Sequence, residues 1–427
     1  MSNKSLLLIL LLVSIATHFA FFGHPNQTVF DEVHFGKFIS GYYTHEYYFD
    51  IHPPLGKLMI AGFAKLFNFK PEFSFTQIGE KFPDNKYLAL RFLPSLAGAL
   101  LPVVIFLLAL QLKFTPRAAF MAGFLVAIEN ALLVQTHYIL MDGFLLLFGF
   151  LTLLFYFRRN FLWMAVFGGL TMSIKWTGLT FLALPFLIET LHIYKQKEFK
   201  KVFKLPIYFL VIPLVLYFSV FAVHFSLLTK PGSGDAFMKP TFHQDNIVTK
   251  FFQLNTEMYR ANQRLTATHP YGSSWYSWPF MTRPIFYWVY ENSRIYLLGN
   301  PIIWWASTVA VILLLLRSIE QGARSIKNKK SMFTVPCSLF LFGGYFLNLL
   351  PFIGIKRVMF LYHYLTALIF AILILVYLIE KQKHARKIFI GLAITSVAAF
   401  IYFAPLSYGL PLSPKSYESR VWFSSWR

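Results

Sequence analysis

Residues 5–22 read Ser-Leu-Leu-Leu-Ile-Leu-Leu-Leu-Val-Ser-Ile-Ala-Thr-His-Phe-Ala-Phe-Phe, and Asp31 and Glu32 follow shortly after. An apolar run of this length is a candidate membrane helix. It could pass for a removable signal segment, but the acids follow it directly and the later spans need it for parity, so its retention is expected. The segment that follows holds Phe30-Asp-Glu-Val-His-Phe-Gly-Lys-Phe38 and then Phe49-Asp-Ile-His-Pro-Pro-Leu-Gly-Lys57. Two carboxylates thus stand at the mouth of a span, near a rigid Pro-Pro turn and an apolar face.

Composition agrees with a membrane chain. The sequence is 57% hydrophobic and 13% charged, with mean hydropathy +0.56, whereas a soluble domain is about a quarter charged. Eleven spans are predicted, at 5–22, 87–111, 116–135, 139–157, 161–175, 177–194, 205–226, 299–317, 332–352, 358–380 and 387–404. The net charge of +21 raises a nucleic-acid reading. Topology explains it better, because the basic residues fall in short blocks between apolar runs.

With the N-terminus inside, the inner segments carry Lys4, Lys113, Arg117, Arg158, Arg159, the lysines of 195–204, the basic residues of 317–330 and those of 381–387. The short outer loops hold only Lys175, Lys356 and Arg357. This bias places 23–86, 227–298 and the tail from 405 on the outer face of one domain spanning 1–427. The single Cys337 can form no intrachain disulfide. Residues 55–67 are too short to span. Leu55, Leu58, Met59, Gly62, Phe63 and Leu66 share a face with Lys57 and Lys65 off it, which predicts an amphipathic helix lying on the outer leaflet.

Several groups are candidates for chemistry. Asp31 and Glu32 fit a general base for a hydroxyl, or else solvated loop acids or a helix N-cap. Asp50 and His52 alternate in an extended stretch, so both side chains share a face, to position an acceptor or to stabilise the turn before Pro53 and Pro54. His34, His45 and Glu46 lie near, but the spacing fits no ligand pattern, so no metal is expected. Arg91 stands one turn inside the second span, roughly 6 Å below its boundary. A guanidinium there suits a lipid phosphate or a snorkelling anchor. Residues 269–284 hold His269, Trp275, Trp278 and Arg283 among small polar groups, a pattern for sugar or peptide contact or for an interfacial belt. Arg357 and Tyr362-His363-Tyr364 open the tenth span, and Glu129 and Glu189 read as polar groups between helices.

The Asp31-Glu32 segment, His52-Pro53-Pro54-Leu-Gly-Lys57, the His269-Pro-Tyr-x-Ser-x-Trp-x-x-Trp-Pro pattern and Phe360-Leu-Tyr-His-Tyr-Leu365 resemble, in order along the chain, the protein O-mannosyltransferases. Asp142 in Leu-Met-Asp-Gly, Lys175-Trp176 and the tail through Trp422 and Trp426 match too. Thr366 replaces a family proline, and the extra domain that eukaryotic members carry between spans is absent from 227–298.

The resemblance implies the GT-C membrane glycosyltransferase architecture, with outer-face amphipathic helices. It implies a polyprenyl- or dolichyl-phosphate mannose donor, Ser/Thr acceptors on secreted or membrane proteins, and inversion at the anomeric carbon. It casts Asp31 and Glu32 as the catalytic pair and Arg91, His363 and Arg357 as donor-phosphate groups. Asp50, His52, His269, Trp275, Trp278 and Arg283 become substrate contacts. No cofactor and no nucleic acid are expected. Expected partners are the donor, the acceptor, the bilayer and a dimeric mate. The Lys- and Phe-rich composition points to a bacterial inner membrane. Two other readings remain: a lipid-linked sugar transferase acting on a lipid or glycan, and a transporter. The transporter would want Gly/Pro-broken spans in matched halves.

Overall fold

The computed structural model describes residues 2–197, 199–264, 268–328 and 337–427. It is mostly helical. The chain runs α1 (Asn3–Phe19), α2 (Glu32–Thr44), α3 (Leu55–Lys65), α4 (Tyr87–Gln111), α5 (Pro116–Ala127), α6 (Asn130–His137), α7 (Asp142–Phe157), α8 (Phe161–Met172), α9 (Thr180–Gln196), α10 (Ile212–Leu227) and α11 (Ile247–Arg264). A hairpin of β1 (Ile285–Tyr290) and β2 (Ser293–Leu297) follows, then α12 (Pro301–Asn328), α13 (Cys337–Leu347), α14 (Leu365–Glu380) and α15 (Ala385–Tyr408).

Each expected span coincides with a helix. Among the described residues seven helices are long and apolar enough to cross a membrane, three apolar helices are shorter, and the expected 116–135 span is a pair, α5 and α6, bent by 57°. The start of the 332–352 span, together with Lys329 and Lys330, lies outside the described residues. The bend has a local cause. Glu129 ends α5 and caps α6, its carboxylate accepting from Leu132 N at 2.7 Å and from Asn300 N at 2.7 Å. Capping by an acid starts a new helix there.

α14 and α4 form the centre of the bundle. α14 is buried almost throughout, which fits its unbroken apolar run. α4 is approached by α1 and α6 at Gly98, where an added Cβ would stand 2.3 Å from Thr136 Oγ1 and 2.7 Å from the His18 ring. Only a glycine allows that approach.

Two local features differ from expectation. α3 forms, but Gly56, Lys57, Ile60, Ala61 and Ala64 are its buried face. Leu66 is exposed, Leu55, Leu58, Met59 and Phe63 are half-buried against the core, and Lys57 is internal rather than solvated. The hairpin was not expected. Its two-residue turn is Glu291-Asn292, with Glu291 at φ 49°. A bulge between Phe286 and Trp288 leaves Tyr287 without a cross-strand partner. A bulge re-aims a side chain and frees a carbonyl. Here the Tyr287 carbonyl accepts from Phe30 N at 2.9 Å and its ring stacks on Phe30 at 4.0 Å.

Candidate active site

Asp31 stands at the start of α2. Phe30, just before it, adopts the left-handed φ of 48°, an uncommon conformation for a bulky residue, held by the Tyr287 contacts. Among the described residues none donates a hydrogen bond to the Asp31 carboxylate. Burial pushes its pKa up to about 7, with Asp142 and Asp50 adding to the rise and Lys175 and Arg357 opposing it. The carboxylate is thus poised between proton acceptor and acid near neutral pH, as a general base requires.

Glu32 is different. Its Oε1 accepts from Arg91 Nε at 2.7 Å and from Ile139 N at 3.0 Å. Its Oε2 accepts from Arg91 Nη2 at 2.7 Å and from Val29 N at 2.8 Å. Both residues are fully buried. The remaining Arg91 donors reach the carbonyls of Gly23, Pro25 and Gln27, so all five guanidinium N–H groups are engaged. This corrects two expectations. Arg91 has no donor left for a phosphate, and Glu32 has no lone pair free for catalysis. Together they tie the segment before α2 to α4 and to the loop after α6, and so hold Asp31 in place.

A cavity of about 310 Å³, within the size of a small-ligand pocket, is lined by Asp142, Lys175 and Arg357, charged groups that act on Asp31. Its polar lining includes His52, Asp142, Lys175, Arg357, Tyr362 and His363, together with Asn262, Gln263 and Asn348, and its apolar lining includes Leu145, Leu146, Leu347, Phe352, Ile355 and Leu365. Lys175 pairs with both oxygens of Asp142 at 2.8 and 2.9 Å. Asp142 is the first residue of α7, where the helix dipole favours an anion, and it also accepts from Gln135 Nε2 at 2.7 Å. Gln135 in turn accepts from the Tyr287 hydroxyl. Among the described residues the buried Arg357 Nε has no hydrogen-bond partner. His363 Nδ1 lies 3.2 Å from Phe360 N and 2.9 Å from Phe360 O, which fixes the ring.

The other expected contacts divide. Asp50 and His52 meet as their alternation implied, Nδ1 to Oδ1 at 3.1 Å, and Lys57 Nζ bonds the second Asp50 oxygen. Burial alone would raise the Asp50 carboxyl, but Lys57 and His52 hold it well below the usual carboxylate range. Asp50 is therefore a fixed anion and His52 the member of the pair that lines the cavity. His269 is exposed and stands edge-on to Phe360 at 5.1 Å, and Trp275 is half-buried beside Tyr276.

Trp278 is not a surface contact. It is fully buried and parallel to His363 at 5.8 Å, so it backs that ring. Arg283 bonds the carbonyls of Pro270, Ser425 and Arg427, a clasp between the 269–284 loop and the tail. Both differ from the open contacts expected: Trp278 is enclosed behind His363, and the Arg283 guanidinium is engaged mainly by main-chain carbonyls. Lys175, Asp142 and Tyr362 lie in segments that resemble the family, and the fold adds what the sequence does not assign, their convergence on one cavity. No group of three or more His, Cys, Asp or Glu able to hold a metal occurs among the described residues.

Two family models match the chain. One, described as dolichyl-phosphate-mannose-protein mannosyltransferase, covers residues 8–229. The other, the C-terminal four-transmembrane region of protein-O-mannosyltransferase, covers 247–426. Dolichyl-phosphate-mannose–protein mannosyltransferase 1 of Candida albicans is 34% identical over 255 residues, which are 55% of this chain and 29% of that protein. Protein O-mannosyltransferase 1 of Drosophila melanogaster is 34% identical over 257 residues, with shares of 55% and 29%. The chain thus spans less than a third of the length of these relatives.

Among solved structures, one chain of the S. cerevisiae protein O-mannosyltransferase Pmt1-Pmt2 complex bound to the sugar donor superposes with a TM-score of 0.93. It is 20% identical, and the match covers 100% of this chain and 93% of that one. ArnT from Cupriavidus metallidurans bound to undecaprenyl phosphate follows at 0.55 and 15% identity, covering 94% and 65%. These structural likenesses are of fold, the GT-C architecture. With the first family model alone covering half of the sequence, the chain belongs to the protein O-mannosyltransferase family.

Proposed function

We propose that this protein transfers mannose from a polyprenyl-phosphate or dolichyl-phosphate donor to Ser or Thr hydroxyls of proteins, with inversion. The observation that carries this reading is a cavity lined by two cations, Lys175 and Arg357, and by apolar side chains, with Asp31 close enough for both cations to act on its carboxylate. Cations of this kind suit a phosphate, and the apolar lining suits the first part of its lipid tail.

In the transfer, the acceptor oxygen bonds to the anomeric carbon while the bond from that carbon to the phosphate oxygen breaks. The electron pair stays on the phosphate, whose charge Lys175 and Arg357 stabilise. The hydroxyl proton passes to the Asp31 carboxylate and from there to water. Attack from the face opposite the phosphate inverts the centre. No metal or nucleotide is needed for this chemistry.

The reading includes a setting. The basic bias of the inner loops supports an Asp31 site on the extracytoplasmic face. The composition and the short 227–298 region support a bacterial inner membrane, although the curated relatives are fungal and insect proteins. Pairing with a second related subunit belongs to the reading as well, since the yeast neighbour is a complex.

Mass spectrometry of secreted proteins from cells with and without this gene tests the reaction. Hexose on Ser or Thr that disappears with the gene is expected. An unchanged protein profile with an altered glycolipid would point instead to a lipid or glycan acceptor.

A further inference from the structure

The transfer just proposed needs its base and its phosphate cation at a fixed separation, because the reacting carbon lies between them. The two come from different parts of the chain. Asp31 stands at the start of α2, and Lys175 just precedes the Trp176–Gln196 span. One buried side chain connects them. Gln135, in α6, is 2% exposed. Its Nε2 donates to Asp142 Oδ2 at 2.7 Å, and its Oε1 accepts from the Tyr287 hydroxyl.

The polarity of this chain is forced. A carboxylate only accepts, so the amide nitrogen faces Asp142, the amide oxygen faces Tyr287, and the phenol donates. Beyond Asp142 stands the cation: Lys175 Nζ donates to both Asp142 oxygens, at 2.8 and 2.9 Å, and Lys175 lines the cavity. Beyond Tyr287 stands the base. The Tyr287 carbonyl accepts from Phe30 N at 2.9 Å, and its ring lies parallel to the Phe30 ring at 4.0 Å and 5°. Phe30 directly precedes Asp31.

We infer that Gln135 is a positioning residue that sets the Lys175 ammonium against the Asp31 carboxylate, acting through Asp142 at one end and Tyr287 at the other. This rests on the proposed transfer. An apolar side chain at 135 frees Asp142 to turn together with Lys175, which misplaces the phosphate cation. It also leaves the Tyr287 hydroxyl without its acceptor, which loosens the support under Phe30 and Asp31. The first loss reads in the use of donor, the second in the rate of the chemical step.

The test uses full-length protein reconstituted in lipid, with polyprenyl-phosphate mannose and a Ser/Thr peptide. Gln135→Met, Lys175→Met, the two combined, and Tyr287→Phe are compared with wild type. The readouts are donor KM, the single-turnover rate at saturating donor and the unfolding temperature. Gln135→Met should raise donor KM about tenfold and cut the single-turnover rate about tenfold. Added to Lys175→Met, it should move donor KM no further yet still cut the rate, because its effect on KM passes through Lys175. Tyr287→Phe keeps the ring stack and removes only the hydroxyl. It should cut the rate about threefold and leave donor KM near wild type, and it carries the test if Gln135→Met does not fold. A Gln135→Met protein with a lower unfolding temperature but a wild-type KM overturns the role of Gln135. So do KM effects that multiply in the double variant, or a Tyr287→Phe rate equal to wild type. Each of these leaves the transfer reading standing. Wild-type protein that makes no mannosylated peptide sinks both.

Discussion

Arg91→Lys separates a structural arginine from a ligand. Lysine keeps the charge but offers three donors where arginine offers five, and Arg91 uses all five, on two Glu32 oxygens and three carbonyls. At least two of these five contacts are therefore lost, although both Glu32 oxygens and the Gly23 carbonyl keep second donors in Ile139 N, Val29 N and the Tyr87 hydroxyl. At about 0.5–1.5 kcal/mol for each hydrogen bond lost, the cost is about 1–3 kcal/mol. Complete removal of one partner of a buried pair costs about 3–5 kcal/mol, and more where carbonyls are stranded as well. The variant should show a markedly lower unfolding temperature in detergent. Its kcat should fall too, because Glu32 and the Val29–Asp31 segment shift together. Its KM for the lipid-phosphate donor should stay near wild type. A variant that unfolds like wild type but needs tenfold more donor would refute this reasoning and return Arg91 to the phosphate.

Three further outcomes are expected. In the proposed transfer deprotonated Asp31 is the active form, so kcat/KM should rise as pH passes upward through about 7 and be lost below it. Because burial raises the folded-state pKa, the stability linked to Asp31 is full at low pH and is lost as pH rises through that value. Asp31→Asn should therefore lose about 10²–10⁴-fold in kcat, yet unfold no earlier than wild type at pH 8; an active or destabilised variant would contradict the assignment. Lys175→Met should raise the donor KM tenfold or more, by removing a phosphate cation and leaving Asp142 unpaired; an unchanged KM would exclude Lys175 from the phosphate site. In a Cys337→Ala background, cysteines replacing Lys70 and Lys415 should react with an impermeant reagent on intact cells, and one replacing Lys383 only after lysis. The reverse pattern would turn the site to the cytoplasm.

The helical bundle was legible because apolar length and flanking charge are local signals. The eleven segments match helices even where α5 and α6 bend at Glu129, a residue whose capping role depends on Asn300, far along the chain. The hairpin had a local signal too: Ile285-Phe-Tyr-Trp-Val-Tyr290, a two-residue gap and Ser-Arg-Ile-Tyr-Leu297 form a strand–turn–strand pattern. In a chain of membrane composition this short pattern is outweighed by the long apolar runs around it. The difference between Asp31 and Glu32 was not legible, because it depends on Arg91 and Ile139 arriving from distant segments. The same holds for Trp278 and Arg283, whose aromatic and cationic character reads as recognition until the fold buries one behind His363 and clasps the other to the tail. Asp142 and Lys175 lie apart in sequence and pair only when α7 and the start of the Trp176–Gln196 span converge on one cavity.

The most direct measurement is transfer by the purified protein in a lipid bilayer, given synthetic polyprenyl-phosphate β-mannose and a Ser/Thr-containing peptide, with the product linkage read by NMR. Wild-type protein should yield an α-linked mannosyl peptide in the presence of EDTA, and Asp31→Asn should yield essentially none. Absence of transfer, a β-linked product, or near-normal turnover by Asp31→Asn would contradict base-assisted inverting mannosyl transfer at this site.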